Sequence, residues 1–189
     1  ATATDAIDGA LNVTNNAPSV FPLGVTTVTF SATDAAGNTS SNTATVTVQD
    51  QGAPTVTVPA NITVGATNAS GTPATNAAIT AFLNSATATD TADGALNVTN
   101  NAPSVFPLGV TTVTFSASDS AGNTSSNTAT VTVQDQGSPI LTVPSNITVE
   151  ATTANGTPAT NAEITAFLNA ATATDTVDGA LNVTNNAPS

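Results

Sequence analysis

Hydrophobic and polar residues alternate along much of this chain, and the clearest stretch runs from residue 106 to residue 135. Apolar side chains occupy every second position on both sides of a turn that contains Gly122. These positions are Val113, Phe115, Ala117, Ala129, Val131 and Val133. Side chains alternate with a period of two along a β-strand, so the stretch predicts two antiparallel strands closed by a hairpin.

The same stretch occurs earlier in the chain, at residues 21–50. Between residues 21 and 50 only Thr33 and Ala35 differ from their counterparts, which are Ser118 and Ser120. Self-similarity of this kind is typical of repeat arrays. The hairpin is therefore part of a repeated structural unit.

The length of the repeat follows from the sequence ATATD, which ends at Asp5, Asp90 and Asp175, 85 residues apart. We divide the chain into the later part of one repeat, a complete repeat and the earlier part of the next: residues 1–50, 51–135 and 136–189. Either the chain continues in both directions, or neighbouring copies complete the two partial repeats.

The complete repeat carries further elements besides the hairpin. The pattern predicts strands over residues 55–58, 61–66, 86–89, 95–99, 110–117 and 128–134, and a loop over 67–75. Between them, Ile79, Phe82 and Leu83 follow helical spacing after Asn76, a good N-cap residue, which predicts one short helical turn per repeat. Many short strands with regular turns indicate an all-β fold of β-sandwiches.

The amino-acid composition argues against several classes of function. The chain contains no Lys, Arg, His, Cys, Met, Trp or Tyr, and its net charge is −12. Without basic side chains it has no ordinary means of neutralising nucleic-acid phosphates. Without His, Cys or Lys it lacks the usual general bases and nucleophiles. No apolar run approaches the ~20 residues that cross a bilayer. We therefore predict no enzymatic activity, no nucleic-acid partner and no membrane insertion in this segment.

Three sequence motifs resemble those of a known family. TATD-x-x-DG, FPLGVTTVTFSASDSAGN and TVTVQD together are similar to the hyalin repeat, or HYR module, over the whole chain. The resemblance implies tandem immunoglobulin-like sandwiches of extracellular or cell-surface adhesion proteins, including bacterial ones. Many members of the family carry a pair of cysteines that this chain lacks. That departure favours a bacterial cell-surface array over an animal matrix protein.

The acidic residues are predicted to meet where one repeat joins the next. In an immunoglobulin-like topology, the turn after the second strand and the last hairpin turn lie at the end where the chain enters. Asp50, which leaves the first unit, should then meet Asp90, Asp93, Asp119 and Asn123 of the next. Clustered oxygen ligands suit a hard cation, and Ca²⁺ best among them. We therefore predict Ca²⁺ at each joint.

Parts of the same site recur at both ends of the chain. The following joint would begin with Asp135, Asp175 and Asp178, its hairpin ligands lying beyond residue 189. The preceding joint would contain Asp5, Asp8, Asp34 and Asn38, which await an aspartate from an earlier linker. An alternative needs no metal, because Asp-Gly sequences favour hairpin turns and Asp and Asn side chains cap loops through backbone hydrogen bonds.

The leading functional hypothesis is structural. We expect a segment of a long extracellular filament or adhesin stalk, in which neighbouring repeats of the same or identical chains are stiffened by Ca²⁺. The first alternative is a module whose loop tips bind a glycan or a protein. The second is an accessory domain of a secreted enzyme.

Overall fold

The computed structural model describes residues 1–187, and most of its regular structure is β. Seventeen strands and two short helices occur in this part of the chain, and the only strands longer than four residues are Gly24–Thr33, Thr39–Val48, Gly109–Ser118 and Thr124–Gln134. The all-β fold predicted from the alternating pattern is confirmed. Neither helix of the described residues is long and apolar enough to cross a membrane.

The central unit contains all the elements of one repeat. Its strands are β6 (Thr55–Thr57), β7 (Ile62–Gly65), β8 (Thr72–Pro73), β9 (Thr87–Asp90), β10 (Gly94–Leu96), β11 (Thr99–Asn100), β12 (Val105–Phe106), β13 (Gly109–Ser118) and β14 (Thr124–Gln134), and its helix is α1 (Ala77–Asn84). The strands form a three-stranded sheet, β10-β9-β6, a four-stranded sheet, β11-β13-β14-β7, and the short pair β12-β8. One hydrophobic core lies among them and joins residues of both larger sheets.

The hairpin of β13 and β14 is continuous and slightly longer than predicted. Its pairing runs from Gly109 opposite Val133 to Ser118 opposite Thr124. All six apolar positions that the alternation singled out are buried. The turn between the strands contains Gly122 at φ +91°, a left-handed conformation that glycine adopts without a Cβ penalty. The period of two therefore located both the strands and their inward faces.

Strands β14 and β7 pair in parallel, unlike the other strand pairs of the unit. Val131 lies opposite Ile62, and Gln134 lies opposite Gly65. The pair joins a strand near the beginning of the unit to the strand at its end. This pairing therefore holds the first and last parts of the unit together in one sheet.

The predicted helical turn is confirmed as α1. The side chain of Asn76 accepts hydrogen bonds from the backbone N–H groups of Ala78 (3.0 Å) and Ile79 (3.4 Å), which caps the helix. Ile79 and Phe82 are buried, and the Phe82 ring meets Phe115 edge to face at 5.7 Å between centroids. The helix therefore covers one side of the core.

Removing the cap should destabilise α1. We expect Asn76→Ala to lower the free energy of unfolding of the central unit by about 1 kcal/mol, because two backbone donors lose their acceptor. Denaturant unfolding of the full chain measures the change. The control is Asn84→Ala, which makes the same truncation at an exposed position of the same helix. Equal losses in both variants would contradict the capping role.

Two details of the sequence prediction were wrong. Residues 67–75 were predicted as a loop, yet Thr72–Pro73 forms β8 and pairs with Val105–Phe106. Residues 95–99 were predicted as one strand, but β10 pairs with β9 while β11 pairs with β13 in the other sheet. Pairings of two or three residues are too short to show an alternating pattern, so local sequence does not reveal them.

The two end segments repeat these elements in part. The first contains β1 (Ala3–Asp5), β2 (Gly9–Leu11), β3 (Val13–Asn15), β4 (Gly24–Thr33) and β5 (Thr39–Val48). The last contains β15 (Ile140–Thr142), α2 (Ala162–Leu168), β16 (Thr172–Asp175) and β17 (Gly179–Leu181). Their apolar faces are less covered: Val46 is 39% exposed, whereas its counterpart Val131 is fully buried.

Candidate metal centre

Four carboxylates meet at the junction of the first and central units. Asp50 lies in the linker after β5, Asp90 ends β9, Asp93 lies in the turn before β10, and Asp119 begins the β13–β14 turn. One oxygen from each lies within 4.8 Å of the others. The structure therefore brings together all four aspartates that the sequence predicted at this joint.

The turn that carries Asp90 and Asp93 is tied to the hairpin beside it. Asp90 accepts hydrogen bonds from the N–H groups of Ala92 (2.7 Å) and Asp93 (3.2 Å), which closes the turn locally. Asp93 accepts from both the N–H (2.7 Å) and the hydroxyl (2.9 Å) of Ser120. Sequence analysis missed Ser120, because a serine in a hairpin turn carries no signal of a partner 27 residues away.

Asp119 is held by Asn123 across the hairpin turn. Its carboxylate accepts from the backbone N–H of Asn123 (2.7 Å) and from its Nδ2 (2.8 Å). Nδ2 also approaches the carbonyl oxygen of Asp50 at 3.4 Å. Burial raises the pKa of Asp119, but the hydrogen bonds from Asn123, Gly122 and Ala121 lower it, and the net pKa lies below the ordinary value. Asp119 therefore stays ionised at neutral pH.

Asn123 was predicted to be a metal ligand through its side-chain oxygen. In the structure its Nδ2 donates to the Asp119 carboxylate and to the backbone carbonyl of Asp50, so the residue links the hairpin turn to the linker. A ligand role for its Oδ1 stays a prediction.

Asp50 is the aspartate of the cluster whose carboxylate has the fewest hydrogen-bond partners. Its Oδ1 accepts from the N–H of Gly52 at 3.0 Å, whereas its Oδ2 is buried and has no hydrogen-bond partner. A Cβ at Gly52 would lie 3.4 Å from Asp50 Oδ1 and 3.8 Å from Asp90 Oδ2, so the linker passes close to the carboxylates. A buried oxygen with no donor carries a desolvation cost that a bound cation would offset.

The electrostatics of the cluster also favour a cation. Two carboxylates 4.8 Å apart repel by about 1 kcal/mol in a water-like dielectric, and by about 3–4 kcal/mol at an effective dielectric near 20. The chain has no Lys, Arg or His to neutralise them. Oxygens bound to one Ca²⁺ at ~2.4 Å lie at most ~4.8 Å apart. The donor set therefore fits a hard divalent cation.

The second predicted set also converges. Oxygens of Asp135, Asp175 and Asp178 lie within 4.8 Å of one another. Asp175 accepts from the N–H groups of Val177 (2.7 Å) and Asp178 (3.2 Å), which reproduces the turn at Asp90. Asp135 accepts from the N–H of Gly137 at 2.9 Å, as Asp50 does from Gly52. The local geometry of the linker and turn is thus the same at both joints.

The third set, near the start of the chain, is more open. Asp5, Asp8, Asp34 and Asn38 line one surface depression. Asp8 accepts from the N–H of Ala35 at 3.1 Å, and Asn38 donates to Asp34 from its backbone N–H and its Nδ2, both at 2.7 Å. Hydrogen bonds from Asn38 lower the pKa of Asp34, and those from Ile7 and Asp8 lower the pKa of Asp5. The turn and the hairpin thus approach each other as they do in the central unit.

Comparisons with known proteins agree with this repeated pattern. A profile of the HYR domain matches residues 1–48 and 49–133. The chain is 40% identical over 184 residues to hyalin of Strongylocentrotus purpuratus, and 36% identical over 168 residues to hyalin of Lytechinus variegatus. The matches cover 92% and 85% of this chain.

The chain spans only part of these relatives, 14% of the first and 31% of the second. Both come from sea urchins, so they give no support to the bacterial origin that the missing cysteines suggested. The family resemblance inferred from the three motifs is confirmed. This protein belongs to the HYR domain family.

Proposed function

We propose that the chain is a structural segment of an extracellular filament or adhesive stalk, and that Ca²⁺ stiffens the joints between its repeats. Membership of the HYR family carries an extracellular location and an adhesion-type role. The 85-residue division at residues 50 and 135 then corresponds to the mechanical units of the filament. Their partners are neighbouring repeats of the same chain or of identical chains.

The observation that supports this proposal most strongly is the set of four carboxylates at the first joint. They lie within 4.8 Å of one another, and one of their oxygens is buried without a partner. Asp50 follows the last strand of the first unit, β5, whereas the other three aspartates lie at two turns of the central unit. A cation held by all four would link the two units directly.

A bound Ca²⁺ supplies positive charge and accepts six to eight oxygens in flexible geometry. Asp50, Asp90, Asp93 and Asp119 would hold it, and Asn123 would keep Asp119 oriented. The linker over residues 51–54 would then be fixed at both ends, by Asp50 on one side and by β6 on the other. All ten aspartates of the chain fall in the three acidic sets, which supports the same role, cation binding, at each joint.

Calcium removal tests this function. Chelation should lower the stability of the full chain by about 2.7 kcal/mol when free Ca²⁺ had been 100-fold above its Kd. Thermal melting with and without chelator measures the loss. Magnesium at the same concentration should restore less of it, because Mg²⁺ demands stricter octahedral geometry.

Asp50→Asn makes this test specific to the joint. The asparagine keeps an oxygen that can accept from Gly52 but removes one negative charge, so it should weaken the calcium response and raise stability in chelator. The control is Glu150→Gln, which removes one charge at an exposed position outside the acidic sets. If Asp50→Asn and wild type showed the same calcium dependence, the proposed site would be wrong.

A further inference from the structure

Two of the Asn-x-Ser/Thr sequences that recur along the chain have contrasting surroundings. One is Asn-Val-Thr, at Asn12, Asn97 and Asn182, and the other is Asn-Thr-Ser, at Asn38 and Asn123. Both match the acceptor sequence for N-linked glycosylation, in which a glycan is attached to Nδ2 of the asparagine. The extracellular location of the family means that the chain is exported, and this modification requires export. The contacts of each Nδ2 therefore decide which sequence the folded chain can carry in modified form.

The Asn123 sequence is part of the acidic joint. Nδ2 of Asn123 donates to the Asp119 carboxylate at 2.8 Å and approaches the Asp50 carbonyl oxygen at 3.4 Å. Asn38 donates to Asp34 from its Nδ2 in the same way, at 2.7 Å. Both N–H bonds of the Asn123 amide are thus directed at protein oxygens, and a sugar in place of either hydrogen would collide with Asp119 or with the linker. The folded chain has no room for a glycan there.

The Asn97 sequence is free of such contacts. Asn97 lies in the short connection between β10 and β11 and is exposed, and its side chain forms no hydrogen bond in the described part of the chain. Its counterparts Asn12 and Asn182 are exposed as well. Asn61, which begins a third recurring sequence of this kind, is tied to β14, because its Oδ1 accepts from the N–H of Thr130 at 2.8 Å. A glycan on Asn97 would displace no hydrogen bond of the fold.

The threonine of the Asn97 sequence indicates when a glycan would be attached. Oγ1 of Thr99 donates to the carbonyl oxygen of Ser116 at 3.2 Å, and Thr14 makes the same contact with Ser31. This hydroxyl is therefore engaged once β11 pairs with β13. Attachment during export, before the two strands pair, leaves the hydroxyl accessible to the transferase and the finished fold unchanged.

We propose that Asn97 is an N-glycosylation site, and that Asn12 and Asn182 are the equivalent sites of the neighbouring units. The donor is a lipid-linked oligosaccharide. A bond forms between Nδ2 and C1 of its first sugar, the bond from C1 to the lipid pyrophosphate breaks, and Nδ2 gives up one proton to a base of the transferase. The product carries one glycan every 85 residues, at the same position of each unit.

The position of Asn97 gives the glycan a role at the sheet edges. β10 is the outer strand of one sheet and β11 the outer strand of the other, and only Asn97 and Val98 lie between them. Open sheet edges are templates for pairing with another chain, and many proteins protect them with charged side chains. Residues 94–100 contain no charged side chain. A bulky, hydrophilic glycan on Asn97 would cover both edges instead.

Glycopeptide mapping of the full chain, secreted from animal cells, tests the site. An endoproteinase that cleaves before aspartate places the two sequences of the central unit in separate peptides, 93–118 and 119–134. Peptide-N-glycosidase in heavy-oxygen water then marks each glycosylated asparagine as a heavy aspartate. We expect the mark in peptide 93–118 and none in peptide 119–134. An unmarked 93–118 peptide, or a marked 119–134 peptide, would overturn the proposal.

Two variants provide matched controls for the mapping. Asn97→Gln should remove the mark from peptide 93–118, because glutamine is not an acceptor. Thr99→Ser should keep the mark, because serine also completes the acceptor sequence. A mark that persists in Asn97→Gln would assign the glycan to another residue and contradict the proposal.

Sedimentation velocity tests the role at the sheet edges. The variant that combines Asn12→Gln, Asn97→Gln and Asn182→Gln should associate more strongly than the wild-type chain from the same cells, because its sheet edges are uncovered. Both chains are measured in chelator, so the result does not depend on the proposed Ca²⁺ sites. Equal association of the two chains would show that the glycan does not shield the edges.

Discussion

Replacing Phe115 with alanine should lower the free energy of unfolding of the central unit by about 3–5 kcal/mol. Phe115 is fully buried on β13, and its ring contacts Phe82 of α1. The substitution leaves a cavity between the hairpin and the helix, which neighbouring side chains fill only in part. Denaturant unfolding, with hydrogen exchange resolved along the chain, measures the loss and its location.

The control for this prediction is the counterpart Phe30. Phe30→Ala removes the same side chain at an equivalent position of β4, where the ring is only half-buried. Its loss should be clearly smaller, because part of the ring already contacts water. Equal losses in the two variants would mean that the first unit has a core as complete as that of the central unit.

Gly71→Ala should destabilise the central unit by at least about 3 kcal/mol, because strain and a backbone clash add together. Gly71 has φ +111°, a conformation that residues with a Cβ rarely adopt. A Cβ at this position would lie 2.0 Å from the carbonyl oxygen of Phe106. The β8–β12 contact would have to separate, which would expose Phe106. Thermal melting of the full chain measures the effect.

Gly156 is the matched control for this clash. It has φ +110°, but nothing lies within 4 Å of a Cβ built there. Gly156→Ala should therefore show the strain alone, roughly 1–3 kcal/mol. If Gly71→Ala cost no more than Gly156→Ala, the close approach to Phe106 would be wrong.

Sequence reasoning worked best where the signal was periodic or local. The alternation through Val113 and Phe115 predicted a long hairpin and its buried face, because the pleat of a strand fixes which side chains point inward. Asn76 followed by helical spacing predicted α1 for a similarly local reason. The meeting of Asp50 with Asp119 was predicted from family topology, not from spacing.

Features that depend on distant partners were not predictable. The β8 pairing and the close approach of Gly71 to Phe106 join segments more than thirty residues apart. The donor role of Asn123 depends on where the linker carries Asp50. Residues 147–150 show the same limit, since they closely resemble β7 in sequence and still form no strand without a neighbour like β14.

The parallel contact between β7 and β14 determines how the central unit would bear tension. A force applied at residues 51 and 135 pulls these two strands in opposite directions along their length. The hydrogen bonds that join Ile62–Gly65 to Val131–Gln134 are then loaded together in shear, instead of opening one after another. Extension of the unit would begin only when this short ladder ruptures as a whole.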